Sequence, residues 1–163
     1  MKKTELRELL GLLAVVLGLV FVGLEMRQNT KMMRAQIRNS MTENTMEYVG
    51  WSATSEALSY AVAINREEGA AELTPSQYHM VRAWAGAQMR EWENSFYQNK
   101  LGLFTEAEFG ARKNIWRQRM TTGARSEIYR RLWMDLAETF APDFRDEIDR
   151  IIAAEKTGEC SPQ

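Results

Sequence analysis

Cysteine, histidine and proline are scarce in this chain. Its 163 residues include one Cys, one His and three Pro. A lone Cys160, in the polar segment GECSPQ, excludes an intramolecular disulfide and makes no demand for an oxidising compartment. A lone His79, with Ser at position 76, leaves out the paired Glu-x-x-His motifs of a di-iron bundle. One Cys and one distant His give no zinc-ligand spacing, so no metal is expected. Gly-x-Ser-x-Gly, P-loop and Gly-rich phosphate motifs are missing as well. A thiol at position 160 would sit in a tail with nothing to lower its pKa. Neither an enzymatic reaction nor a cofactor is expected. An excess of positive charge is also lacking. Setting aside Lys2, Lys3, Arg7, Glu5 and Glu8, 18 of 21 basic and 20 of 22 acidic residues remain. That balance excludes a domain-wide basic field for nucleic acid. It also makes the five Trp core fillers rather than base-stacking platforms. Few stretches alternate β-branched with polar residues, whereas Ala, Met, Glu, Arg and Leu are abundant, so an all-α fold is expected.

What the chain does have is one long apolar run, residues 9–24, LLGLLAVVLGLVFVGL. Without charge, Pro, Asn or Gln, it is expected to cross a lipid bilayer as a helix. At 1.5 Å per residue it spans roughly 24 Å, slightly under a bilayer core of ~30 Å. Leu6, Met26 and the stems of Arg7 and Arg27 extend it by snorkelling. A cleaved signal peptide shares the MKK start, but EMRQNTK follows the run without an A-x-A-like site, and Glu5 and Glu8 interrupt the basic leader. A buried core helix is disfavoured because nearly every face of the run is apolar. Small residues Gly11, Ala14 and Gly18 share one face, a small-xxx-small pattern that lets a second helix approach closely. Beyond the run, Arg27, Lys31, Arg34 and Arg38 are spaced 4, 3 and 4 apart. They share a helix face suited to anionic lipid headgroups, at ~1 kcal/mol each, or simply to water. Cations on both sides of the run nearly balance, and the body is read as cytoplasmic.

The layout expected is a tail and anchor over 1–25, a soluble helical body over 26–155, and a flexible tail over 156–163. No Pro interrupts 26–65, so the anchor helix is expected to continue to about Gly69. Along it Ile37, Met41, Asn44, Tyr48, Trp51, Ser55, Leu58 and Val62 form a seam with a 3.5-residue period. Packing against the protein's own later helices is the favoured use of this seam, with self-association the alternative. Thr74-Pro75 restarts the chain as N-cap and first helical residue, with Val81, Trp84, Ala85, Gln88, Trp92 and Phe96 on one face. The sequence TEAE at 105–108 is a capping box opening another helix with Phe109, Lys113, Trp116 and Met120 in register. A further helix over about 124–139 carries Ile128, Leu132, Trp133 and Leu136, and after Ala141-Pro142 a short one carries Phe144, Ile148, Ile151 and Ile152. The short connections predict a small antiparallel helical bundle.

The densest mixture of aromatic and ionisable residues is REWENSFYQ at 90–98. Here Trp92, Glu93 and Tyr97 are the candidates for lining a small-molecule pocket. The plainer reading pairs Glu93 with an Arg of an adjacent helix, Arg112, Arg117, Arg119, Arg130 or Arg131 being the choices. His79 is read as a half-exposed helix residue.

The arrangement ELLGLLAVVLGLVFVGLEMRQNT, together with the later WENSFYQNKLGLF and FAPDFRDEID, resembles a widespread group of small uncharacterised bacterial single-pass membrane proteins. Their membrane exit usually reads V-x-x-Q-I-R-Q-N-T. Here Glu25-Met26 replaces the usual Gln-aliphatic pair, making the exit more acidic. The likeness covers most of the chain and brings no enzymatic residues. It implies a location in the bacterial inner membrane and a helical body. It implies nothing about mechanism, and the function expected from the residues themselves is non-catalytic. The protein would act through contacts with the bilayer and with itself or another membrane protein, as a homo-oligomer or an accessory subunit. The alternative is a membrane-tethered sensor or stress effector whose body binds a small ligand.

Overall fold

Ser55 ends the first helix and starts the second. Its side chain accepts the backbone N–H of Leu58 while its own backbone turns extended at φ −104°, ψ 105°. The computed structural model describes residues 3–156, so Cys160 and nearly all of the expected tail lie outside the described residues. The described residues contain six α-helices and no strand. They are α1 Lys3–Thr54, α2 Glu56–Glu67, α3 Pro75–Lys100, α4 Glu106–Thr121, α5 Ser126–Leu136 and α6 Pro142–Lys156. Short 3₁₀ turns, Ala70–Glu72 and Ala137–Thr139, precede α3 and follow α5.

The single helix expected to reach Gly69 is thus two helices. A run of hydroxyl side chains explains the break. Ser52 and Thr54 donate back to the carbonyls of Val49 and Gly50, and Ser55 takes the N-cap role, so these side chains compete with the helical ladder. The helix expected over about 124–139 is likewise shorter, with its last turn tightened to 3₁₀.

The other boundaries follow local chemistry. Thr74 and Gln77 form a reciprocal capping box ahead of Pro75, and Thr105 and Glu108 form another at the start of α4. Gly102 takes φ +71° after α3 and donates its N–H to Asn99, a left-handed exit that a Cβ would strain. The chain divides into two units, residues 1–41 and 42–163, where the sequence suggested a division at 25/26. The first unit belongs to α1.

In the second unit α3 packs against α2 and α5, while α4 packs against α5 and α6. Its core is aromatic. Trp92 stacks on Tyr129, with ring centroids 5.5 Å apart and planes 9° apart, and on Trp116 at 6.1 Å. Phe144 meets Trp116 and Trp133 edge-on at 5.8 and 6.0 Å. Such pairs add about 0.5–1.5 kcal/mol each beyond the burial of their surface. Two indole N–H groups have partners as well. Trp133 donates to Asp149 at 2.8 Å and Trp84 to the Tyr48 carbonyl at 2.9 Å.

Candidate functional site

The stretch 90–98 lies on α3, and its three candidates separate. Trp92 is buried in the aromatic core. Glu93 and the exposed Tyr97 instead border an open cavity of about 520 Å³ with Arg90, Lys100 and residues 141–144. Each charge bordering that cavity already has a partner inside the fold. Arg90 Nη1 donates to Glu93 Oε2 and to the Thr139 carbonyl, both at 3.0 Å, and Nη2 donates to Thr139 Oγ1. The same guanidinium lies over the Phe140 ring, 3.9 Å from its centroid. Glu93 Oε1 accepts the backbone N–H of Ala141 at 2.7 Å. Lys100 pairs with Asp143 and holds that carboxyl below the usual carboxylate range, first by hydrogen bonding and then by its charge. The cavity is a braced seam between α3 and the entry to α6.

Glu93 therefore pairs with Arg90 of its own helix, and the expected partners lie elsewhere. Of the five arginines, Arg112 instead pairs with Glu91 across the helices, at 3.0 Å, joined by Ser95. Glu147 on α6, which is buried, pairs with Lys113 and Arg150. His79 is exposed on the first turns of α3. Among the described residues no three His, Cys, Asp or Glu side chains gather as a metal site would need.

A second cavity, of about 270 Å³, is walled by Val62, Trp84 and Tyr129 and carries Asn65, Arg66, Arg119 and Arg125. Arg66 and Arg119 lie in the last turns of α2 and α4, and Arg125 immediately precedes α5. None of these three arginines has a carboxylate partner among the described residues. Burial, and then repulsion from Arg119 and Arg66, lowers the pKa of the Arg125 guanidinium. Burial pushes the Tyr129 phenol up to about 12, against the opposing pull of Arg119, Arg125 and its bond to Gln88. No local pattern announces this cluster, since positions 66, 119 and 125 fall on three separate segments. Arg66 and Arg119 alone also read as ordinary complements to helix C-termini.

On α1 the side chains at 10–24 are all exposed, Gly11, Ala14 and Gly18 among them, and open space surrounds Gly11 and Gly18. Arg27, Lys31, Arg34 and Arg38 are exposed too. Along the seam Met41 is buried, Ile37, Asn44 and Tyr48 are half-buried, and Trp51 is exposed. Leu58 and Val62 belong to the body's own core. Comparison of the chain with known protein families, with curated proteins and with solved structures found no match.

Proposed function

We propose that this is a single-pass protein of the bacterial inner membrane, whose α1 apolar segment lies in lipid and whose helical body is cytoplasmic. The observation that carries the reading is the apolar surface of α1. An 18-residue window of mean hydropathy 2.0 has none of its residues buried. In water that surface would be a contiguous apolar patch far larger than monomeric proteins tolerate. Lipid covers it. A cleaved leader is the rival account of the same segment, and the absence of a small-residue cleavage site before EMRQNTK favours the anchor.

The body is a small antiparallel helical bundle, and its role is non-catalytic contact with other membrane proteins, in the first place a second copy of this chain. Support comes from the open Gly11, Ala14 and Gly18 face, where a second helix can approach closely enough for dispersion contacts that lipid does not match. Gly18→Leu tests this in native membranes. Chemical cross-linking of the wild-type chain gives a dimer or higher band, and the substitution weakens it severalfold. Unchanged cross-linking removes the anchor from the interface.

A further inference from the structure

We infer that the cavity bordered by Arg66, Arg119 and Arg125 is a binding site for a phosphate-type oxyanion, either inorganic phosphate or a phosphomonoester group. The inference goes beyond the membrane reading and stands whether or not α1 lies in lipid.

Arginine clusters in a folded protein are ordinarily neutralised. Elsewhere in this body Arg82, Arg90, Arg112, Arg131, Arg145 and Arg150 each hold a carboxylate, and Arg117 and Arg130 hold the neutral oxygens of Asn114 and Ser126. Arg66, Arg119 and Arg125 do not, although they border one cavity, where burial first and the neighbouring Arg119 and Arg66 second lower the Arg125 pKa. Three like charges brought together from three segments, with no counter-charge, are complementary to a multiply charged anion. Guanidinium groups offer planar paired N–H donors that match the edges of a phosphate.

A second observation points to the same place. Asn65 is only 4 % exposed, borders the cavity, and its Oδ1 has no hydrogen-bond partner. A buried amide left unpaired is costly in a folded protein. That oxygen is an acceptor, so within the cavity it is relieved only by a protonated phosphate oxygen, which inorganic phosphate carries at neutral pH as HPO4²⁻ or H2PO4⁻. The walls are held in place independently of the arginines. Trp84 is fixed by its bond to the Tyr48 carbonyl, and Tyr129 by its bond to Gln88 at 3.1 Å. At about 270 Å³ the cavity lies below the ~300–1,000 Å³ of drug-sized ligand sites, so it suits a single phosphoryl group rather than a whole nucleotide.

The test uses the full-length protein in phosphatidylcholine nanodiscs at pH 7, with thermal unfolding followed by tryptophan fluorescence. Sodium phosphate raises the wild-type midpoint saturably, whereas sodium chloride at matched ionic strength does not. Arg119→Gln removes one of three repelling charges, so it folds with an equal or higher starting midpoint and binds phosphate at least tenfold more weakly. The exposed Arg66→Gln gives the same direction of change and guards against any local unfolding at position 119. A second set of discs containing phosphatidic acid separates the two sources of the ligand. If the lipid headgroup occupies the cavity, the wild-type midpoint is already raised without added phosphate, and Arg119→Gln abolishes that rise. If soluble phosphate is the occupant, the lipid makes no difference and the phosphate response persists. The inference is overturned if phosphate and chloride act alike, or if both arginine variants respond as the wild type does.

Discussion

Glu93 on α3 accepts the backbone N–H of Ala141, at 2.7 Å, at the entry to α6. The contact satisfies one of the donors that a helix N-terminus leaves unpaired and places a carboxylate at the positive end of the α6 dipole. Arg90 secures the other side of the same carboxylate and the Thr139 carbonyl, so one turn of α3 holds the connection between α5 and α6. Glu93→Ala is expected to destabilise the protein by about 1–2 kcal/mol, the scale of a lost cap or charged hydrogen bond. Glu93→Gln keeps an acceptor for Ala141 and should lose less. Denaturant unfolding of the full chain in mild detergent measures both. Equal stability in all three proteins would show that the contact contributes nothing.

Tyr129 supplies a pH dependence with a defined sign. Its hydroxyl is buried and donates to Gln88, which is itself buried. Burial raises its folded-state pKa to about 12 from the ordinary value of 10.0. Between those values the unfolded chain has released a proton that the folded chain retains. The contribution of Tyr129 is therefore complete below pH 10 and is lost as pH rises toward 12, by about 2–3 kcal/mol in all. Tyr129→Phe removes this alkaline loss and costs about 1–2 kcal/mol at neutral pH by leaving Gln88 Oε1 unpaired. Thermal unfolding of both proteins across pH 8–11 checks the difference. Parallel curves would contradict it.

The starts of α3 and α4 were legible because each is written within four residues. Thr74 with Pro75, and Thr105 with Glu108, carry their capping partners beside them in the chain. The inward faces of α3 to α6 were legible for a related reason, since Val81, Ala85, Gln88 and Trp92 repeat at helical spacing and all are buried. The break at Ser55 was hidden because Ser is neutral between helix interior and cap. The choice depends on where the segment beyond it packs, and Leu58 and Ala61 are drawn into the core. The partner of Glu93 was hidden for the opposite reason. Several arginines were within plausible reach, and only the tertiary arrangement gives Arg112 to Glu91 and leaves Arg90 for Glu93. The arginine cavity, assembled from three separate segments, had no signature in the sequence at all.

Residence of the 9–24 segment in lipid is the claim from which the others take their setting, and alkaline carbonate extraction of membranes from cells producing the full-length chain tests it most directly. The account predicts that the intact protein stays in the membrane pellet at pH 11 and leaves it only with detergent. Recovery of the chain in the carbonate supernatant would contradict it.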